Sequence, residues 1–296
     1  MALIALKVDV DTLRGTQQGV PRLLRLFERL GIQATFLFSV GPDHTGWALR
    51  RVFRPGFLSK VSRTSVVKHY GLRTLMYGVL LPAPDIGRRA ATAMKDALRA
   101  GHECGLHSWD HVRWQDNVRF RDPGWTARQM QLGFDRFGEI FGAPPATHGA
   151  AGWQMNDFAL GQIDAWGMAY ASDSRGIEPF FPRVEGRALK HVELPTTLST
   201  FDELIGTHGI DAANVARTLS TRTLGDADQV FTLHAELEGG LFSSSFEALL
   251  GAWRAQGHDL GSLGQLYRRL DPSRLPVIAP AWGEVAGRSG QLIVAA

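Results

Sequence analysis

Two aspartates separated by one residue, Asp9 and Asp11, follow an apolar segment at the start of the chain. Side chains alternate along a β-strand, so both carboxylates fall on the same side of the strand, at its C-terminal end. Barrel enzymes of the α/β class place their catalytic groups at that end. An aspartate after a strand also commonly caps the next turn, so this pair alone leaves a structural role open.

Two histidines four residues apart, His107 and His111, follow a segment that predicts a second strand. One helical turn or a tight loop would bring both imidazole rings to one point. Together with an acid from the first strand, they could bind one divalent metal ion and leave coordination positions open. A third histidine, His234, ends another apolar segment, where it is either a functional group or a capped core histidine.

The composition restricts the classes of protein to which the chain can belong. Its 296 residues are 44% hydrophobic and 21% charged, which is typical of a globular enzyme and excludes collagen-like, coiled-coil and low-complexity classes. Cys104 is the single cysteine, so an intrachain disulfide and a cysteine-based zinc site are excluded, and we expect a reducing compartment. Neither a secretory signal nor a membrane-spanning helix is predicted.

The elements that must position these groups alternate along the chain. Residues 2–10 and 34–40 predict buried strands, and a helix that begins near Val20 and ends at Gly31 connects them. About seven such strand and helix units indicate a closed α/β barrel rather than an open sheet. We expect a single barrel over residues 1–270 and a loose C-terminal tail over residues 271–296.

A basic insertion interrupts this alternation at residues 44–84, which are too many for an ordinary connection. The segment is amphipathic, with aromatic and aliphatic residues between its basic ones and no acid. Seven of the 32 basic residues of the chain lie here, so the other 25, against 29 acids, leave the remainder at −4 although the whole chain is +3. The seven are Arg50, Arg51, Arg54, Lys60, Arg63, Lys68 and Arg73. This distribution indicates a local anionic partner, and because no nucleic-acid-binding motif accompanies it, we expect no nucleic acid.

The three motifs, in this order, resemble those of the polysaccharide deacetylase family (NodB homology, carbohydrate esterase 4). The matching features are the paired aspartates, the H-S-x-x-H pattern at 107–111 preceded by Gly-His-Glu at 101–103, and the Leu-His pair at 233–234. The resemblance spans roughly residues 5 to 270. Six strings are similar to the subfamily that deformylates 4-deoxy-4-formamido-L-arabinose-phosphoundecaprenol. They are VDVDTLRGTQQGVPRLL from Val8, FSVGPD from Phe38, GLHSWDH from Gly105, AAGW from Ala150, SDSRG from Ser172 and HAELEG from His234.

The resemblance implies a distorted (β/α)7-type barrel and metal-dependent hydrolysis of an N-acyl group on a sugar. Asp11, His107 and His111 would bind one divalent metal ion, for which Zn, Mn, Co and Ni remain open. Asp9 would be the base that deprotonates the attacking water, and His234 the acid that protonates the leaving amine.

The chain departs from the wider family at the third motif, where an arginine orients the catalytic aspartate. Residues 148–153 read HGAAGW and contain no arginine. Arg175 is the candidate substitute, although it could instead bind phosphate or lie on a surface loop. Asp173 would match the acid of the fourth motif. A further departure is the residue between Asp9 and Asp11, because the family usually has adjacent aspartates.

Two more residues within the matching strings are candidates for support of the site. Glu236 could form a hydrogen bond with His234, receive the charge of the amine product, or lie in a solvated loop. Trp153 could stack on a sugar ring or pack in the core.

The resemblance also implies a partner and a location. The substrate would be an aminosugar linked to undecaprenyl phosphate, so we expect a cytoplasmic enzyme, peripheral on the anionic cytoplasmic face of the inner membrane, with residues 44–84 facing the lipid. A partner protein or a solvated lid are other roles for that segment. The product would serve lipid A modification and resistance to polymyxin and other cationic antimicrobial peptides. An N-deacetylase of a soluble or polymeric amino sugar is the alternative enzyme, and a binding module without catalysis is disfavoured by the complete set of aspartates and histidines.

Overall fold

Eight buried residues, Leu3–Val10, form strand β1 at the centre of a parallel sheet. The computed structural model describes residues 1–48, 71–223 and 225–295. β1 lies between β2 (Thr35–Ser39) and β8 (Gln229–His234), and β3 (Glu103–Ser108) pairs with the far side of β2. All three pairings are parallel, as the alternation of strands and helices predicted.

Short strands extend the architecture beyond this sheet. They are β4 (Tyr170–Ala171), β5 (Phe181–Val184), β6 (Arg187–Ala188), β7 (Val192–Glu193), β9 (Asp259–Gly261), β10 (Val277–Ile278), β11 (Ala281–Glu284) and β12 (Gln291–Val294). β9 pairs with the first residues of β1, and β4 pairs with β7. Backbone hydrogen bonds run from Leu106 to Thr147, Ser172 to His148, Leu194 to Ala171 and Thr197 to Val230. These bonds continue the path of the sheet from β3 round to β8.

Ten α-helices connect the strands within the described residues. They are α1 (Val20–Leu30), α2 (Leu72–Leu75), α3 (Ile86–Arg99), α4 (His111–Asn117), α5 (Pro123–Phe141), α6 (Asp157–Ala165), α7 (Phe201–Leu204), α8 (Val215–Thr221), α9 (Ser243–Ala255) and α10 (Leu263–Arg269). α1 begins with a proline in its first turn and ends at Gly31, which adopts φ 61°, a left-handed conformation that glycine accepts without strain. Leu23 and Phe27 of α1 are buried against the sheet, as the helical spacing predicted.

Two π-helical turns follow the strands that carry catalytic candidates. Gly15–Gly19 follows β1, and Leu237–Leu241 follows β8. The turns touch through glycines: a Cβ added to Gly19 would lie 2.0 Å from the carbonyl oxygen of Ala235, and one added to Gly239 would lie 2.8 Å from the Cα of Gly19. Glycine is therefore required here for close approach of the two backbones.

The tail beyond residue 270 differs from the loose terminus that we expected. β10 pairs with β5, and β11 and β12 form an antiparallel hairpin. Leu292 and Ile293 are buried, and Ile293 packs in a core cluster with Trp114 and Ala151. β12 has only four residues, QLIV, and a run this short does not predict a strand when glycines and prolines lie nearby in the sequence.

The structure describes only the two ends of the basic insertion. Six of the residues expected to face a membrane, Arg50, Arg51, Arg54, Lys60, Arg63 and Lys68, lie outside the described residues. The seventh, Arg73, lies in α2. Within the residues that the structure describes, none of the helices is both long enough and apolar enough to cross a membrane.

Candidate active site

The C-terminal ends of β1 and β8 bring Asp9 and His234 together. The two residues are direct partners in the parallel register, 225 positions apart in the sequence. The backbone bond from Ala235 N–H to the Asp9 carbonyl, 2.9 Å long, fixes the strands at this point. Asp9 is buried, whereas His234 is half-buried, so His234 is the more exposed of the two candidates.

Asp11, His107 and His111 form a group that could hold a metal ion, since one potential ligand atom of each lies within 4.8 Å of the others. His107 Nε2 is 3.2 Å from Asp11 Oδ1, and His111 Nε2 is 3.4 Å from Asp11 Oδ2. The aspartate follows β1, His107 lies in β3, and His111 begins α4. Two segments that are distant in sequence, the end of β1 and the stretch from β3 into α4, thus converge on one point, as the motifs predicted.

The hydrogen bonds of His107 fit a metal ligand. Its Nδ1 lies 2.5 Å from the Gly149 carbonyl, which can only accept, so Nδ1 carries the proton and Nε2 keeps its lone pair. Among the described residues, His107 Nε2 and Asp11 Oδ1 are buried without a hydrogen-bond partner. Buried polar atoms are normally satisfied, so two unpaired ligand atoms that face each other suit a cation.

The electrostatics of this group favour a charged aspartate. Burial raises the pKa of Asp11, but His111 and His107 outweigh it and hold that pKa well below its usual range. Burial lowers the pKa of His107, and the charges of Asp9 and Asp11 outweigh this effect and raise it. The carboxylate is therefore ionised at neutral pH and available to a metal ion.

Lys7 is a residue of the site that sequence reasoning missed. Its side chain is fully buried, its Nζ lies 3.6 Å from Asp9 Oδ2, and it donates a 2.9 Å hydrogen bond to the Ser172 carbonyl. The signal was its position: Lys7 and Asp9 share one side of β1, and a lysine within an otherwise apolar strand needs a partner. Its ammonium contacts the Asp9 carboxylate.

Arg175, the candidate substitute for the missing arginine, lies elsewhere. Its guanidinium pairs with Glu203 and donates 3.1 Å hydrogen bonds to the carbonyls of Thr196 and Leu198. It is buried and stacks 5.0 Å from the ring of Trp153, so it is not a surface arginine. These contacts brace residues 196–198 beside Trp153.

Trp153 packs in the interior with only 1% of its surface exposed. Its Nε1 donates to Thr196 Oγ1 at 3.1 Å. The cations of Lys7, Arg175 and Arg288 lie 5.3, 5.0 and 4.5 Å from its ring. The tryptophan thus supports Lys7 from beneath the site and offers no open face to a sugar.

Asp173 lies behind Lys7 in a buried polar cluster. Its Oδ1 is 2.6 Å from Nδ1 of His148, the first residue of the altered third motif. Burial raises the pKa of Asp173, but the neighbouring His148 outweighs it and lowers that pKa. Glu193 Oε1 accepts from the backbone of Asp173 at 2.6 Å, and burial raises the pKa of Glu193 to about 8. His148 and Glu193 were not identified from the sequence because their partners are distant along the chain.

The two glutamates after His234 brace the site from the side of β8. Glu236 Oε1 accepts from Asp11 N–H (3.1 Å), Thr12 N–H (2.9 Å) and Thr12 Oγ1 (2.7 Å), so it fixes the loop that carries Asp11 rather than bonding to the ring of His234. Glu238 Oε2 accepts from the backbone N–H of His234 at 2.8 Å. Burial, and then the charge of Asp11, raise the pKa of Glu236 well above its usual value, and burial raises the pKa of Glu238 to about 8.

The start of the basic insertion is tied to the metal-binding group. His44 Nδ1 lies 2.6 Å from Asp110 Oδ2, and the other oxygen of Asp110 caps α4 by accepting from the Arg113 N–H at 3.1 Å. The helix that begins with His111 therefore shares its capping residue with the insertion.

Comparison with known proteins agrees with this geometry. No family model matches the chain. It is 39% identical over 247 residues, 83% of its own length and 80% of the relative's, to a protein of Shewanella sediminis (strain HAW-EB3) named as a probable 4-deoxy-4-formamido-L-arabinose-phosphoundecaprenol deformylase ArnD.

Solved structures share the fold at low sequence identity. A Mycobacterium smegmatis protein assigned to the polysaccharide deacetylases superposes with a TM-score of 0.65 at 17% identity, covering 96% of this chain and 95% of the other. A family 4 acetyl xylan esterase from Clostridium thermocellum, solved with a cobalt ion, gives a TM-score of 0.53 at 13% identity over 93% of this chain and 97% of its own. The fold expected from the motifs is thereby confirmed, and the identity to the Shewanella protein shows that the chain belongs to the ArnD family of deformylases.

Proposed function

We propose that this chain hydrolyses the formamide of 4-deoxy-4-formamido-L-arabinose-phosphoundecaprenol and releases formate and the 4-amino sugar on its carrier. The observation that carries the proposal is the convergence of Asp11, His107 and His111 beside the paired Asp9 and His234, in a chain related to a named deformylase over most of its length.

Asp11, His107 and His111 would hold one divalent metal ion. The unpaired His107 Nε2 and Asp11 Oδ1 support this assignment, and the donor set suits Zn, Mn, Co and Ni alike. Such an ion would polarise the formyl oxygen as a Lewis acid and lower the pKa of water.

The remaining chemistry would belong to the two strand ends. Asp9 accepts a proton from the attacking water as the water oxygen bonds to the formyl carbon. The C–N bond then breaks with its electron pair on nitrogen, and His234 donates the proton that makes this nitrogen a neutral leaving amine. Neighbouring parallel strands are about 4.8 Å apart, so both residues reach one bound formamide.

Lys7 would act as a positioning residue for Asp9. Its buried ammonium lies 3.6 Å from the carboxylate and holds it in one orientation, and its bond to the Ser172 carbonyl fixes the lysine in turn. In this role it replaces the arginine that the third motif lacks.

The anionic inner-membrane surface is the proposed partner surface, with the chain peripheral on its cytoplasmic face. The described ends of the insertion carry exposed apolar side chains: Leu72 is 66% exposed and Leu80 is 77% exposed. Apolar side chains next to basic ones support binding at a lipid interface. The product would be the aminoarabinose carrier for lipid A modification, which gives resistance to polymyxin and other cationic peptides.

Formate release from formamido-arabinose phosphate on a short polyprenyl tests the proposal, with metal-stripped and metal-restored protein. We expect metal-dependent formate from this substrate and no acetate from the matching N-acetyl sugar. Acetate from a soluble N-acetyl sugar in place of formate would favour the deacetylase alternative. If metal-loaded protein releases neither formate nor acetate, a binding module without catalysis would be favoured.

A further inference from the structure

A groove opens between the two π-helical turns, beside the proposed catalytic groups. It encloses about 270 Å³ and is lined on one side by Arg14, Gln18 and Arg22 and on the other by residues 235–241. The glycines at 15, 19, 239 and 240 form part of its walls, so the two arginines project into a lining of mixed polar and apolar surface. The groove is therefore amphipathic, with two permanent positive charges. We call it the arginine groove.

The two guanidinium groups are not neutralised by the contacts that the structure gives them. Arg14 Nε donates to the side-chain oxygen of Gln18 at 3.3 Å, and Arg22 Nη1 donates to the Gly239 carbonyl at 3.4 Å. Both acceptors are neutral and both bonds are long. Arg14 is half-buried, so its charge is only partly screened by solvent.

The acid that lines the groove does not oppose an anion strongly. Glu236 Oε1 is already held by the three donors of Asp11 and Thr12, and the residue is buried. The same carboxyl connects the groove to the metal-binding loop. Arg14 follows Asp11 by three residues, and Glu236, which lines the groove, accepts from the Asp11 N–H at 3.1 Å, so the groove adjoins the loop of Asp11.

Exposed leucines flank the two arginines. Leu241 lines the groove and is 59% exposed. On the other side, Gly71 packs on the arginine: a Cβ added to it would lie 2.3 Å from Arg14 Nη1. The next residue is the exposed Leu72, at the end of the insertion. A cationic groove with an apolar rim matches an anion that carries a hydrocarbon chain.

We infer that the arginine groove binds the phosphodiester of a polyprenyl-phosphate carrier, with Arg14 and Arg22 as its ligands and Leu72 and Leu241 against the first isoprene units. This inference rests on the proposed function, because it assigns the carrier end of the same substrate. It explains how the formamide reaches Asp11, His107 and His111 while the lipid stays at the surface.

The test is equilibrium binding of farnesyl phosphate to the metal-loaded full chain, beside farnesol, inorganic phosphate and phosphatidylglycerol vesicles. Charge-assisted hydrogen bonds predict that Arg14→Gln and Arg22→Gln each weaken farnesyl phosphate binding about tenfold or more. Arg25→Gln is the matched control, since Arg25 is exposed on the same helix and does not line the groove. Melting temperatures check that each variant folds.

Each outcome of this test decides for or against the groove. Weaker binding of farnesyl phosphate in both variants, with Arg25→Gln unchanged and farnesol bound poorly, supports it. Equal binding by wild type and both variants overturns it, as does equal affinity for farnesol. If Arg14→Gln and Arg22→Gln weaken binding only to phosphatidylglycerol vesicles, the arginines contact lipid headgroups in general, and the inference is also overturned. Because binding needs no turnover, an arginine-dependent site in a protein that releases no formate would reject the proposed function and keep the groove.

Discussion

The ammonium of Lys7 lies 3.6 Å from the carboxylate of Asp9, and the lysine side chain is fully buried. A buried ion pair whose partner is removed leaves an uncompensated charge, which is costly in a dry interior. The pair thus links the position of the proposed base to a cation on the same strand.

Replacing Lys7 tests this link. We expect Lys7→Met to lower kcat on the order of a hundredfold, because the Asp9 carboxylate loses the ammonium group that holds it in place, while Lys7→Arg recovers part of the rate. KM should change much less than kcat, and the fraction of folded protein should stay the same, so that the loss of rate does not reflect a loss of structure. Steady-state formate release with melting curves measures both effects. A Lys7→Met protein with wild-type kcat would refute the positioning role.

The two aspartates should separate metal binding from catalysis. Asp11→Asn should weaken binding of the divalent metal ion at least tenfold, since it removes the charged ligand. Asp9→Asn should keep the metal and lose hydrolysis by roughly a hundredfold or more. Metal content after dialysis and formate release together report the two properties. If Asp9→Asn loses the metal and Asp11→Asn keeps it, Asp9 is the metal ligand and Asp11 the base.

Glu238 predicts a pH-dependent stability. Its pKa is raised by burial from the ordinary 4.5 to about 8. Between those pH values the folded chain keeps a proton that the unfolded chain has released, so the free energy of unfolding falls as the pH rises through this window. Glu238→Gln keeps an oxygen for the His234 N–H and cannot ionise. In this variant the free energy of unfolding should fall less between about pH 5 and pH 8 than in the wild type, by on the order of 2 kcal/mol. Urea unfolding at a series of pH values measures the difference. If the free energy of unfolding of Glu238→Gln depends on pH as it does in the wild type, a group other than Glu238 is responsible.

Gly19→Ala should destabilise the fold by about 1–3 kcal/mol, because its methyl group would meet the Ala235 carbonyl at 2.0 Å and force the two π-helical turns apart. Gly161→Ala is the control: nothing lies within 4 Å of its added Cβ, and α6 should gain about 0.5–1 kcal/mol. Denaturant titration compares the two variants. Similar effects of both would contradict the glycine contact between the turns.

The apolar ends of the insertion predict lipid binding. Leu72→Ser and Leu80→Ser should each reduce co-sedimentation with anionic vesicles several-fold, since each removes exposed apolar surface next to basic residues. Phe120→Ser is the matched control because Phe120 is 80% exposed and lies outside the insertion. If all three variants lose vesicle binding equally, the insertion has no special part in it.

The parallel sheet and the convergence of the motif residues could be predicted because both follow from local patterns. β1 and β8 are apolar runs, and the spacing of His107 and His111 needs only one turn of α4. Lys7 escaped notice because it stands in an apolar strand and two of its partners, the Ser172 carbonyl and the Trp153 ring, lie far away in the sequence. The role of Glu236 depends on a contact with Asp11 across 225 positions, which no spacing rule reveals.

The ordered C-terminal strands could not be predicted either, because they depend on contacts with residues that are distant in the sequence. β12 is four residues long and becomes recognisable only when Ile293 meets the core cluster around Trp114. The role of Arg175 likewise depends on Glu203, whose position follows from the packing of α7.

The register of β1 with β8 has a consequence for how the protein acquires activity during synthesis. Asp9, Asp11, His107 and His111 have all left the ribosome once the first 40% of the chain is exposed, whereas His234, Glu236 and Glu238 follow much later. Domains generally fold as units as they emerge, and pairings between distant residues form slowly. A nascent or truncated chain that stops before β8 therefore carries all three metal-binding candidates but lacks His234, the proposed acid, and Glu236, whose carboxyl braces the Asp11 loop. Metal binding can therefore precede catalysis, for which the proposed roles of these residues require the last quarter of the chain.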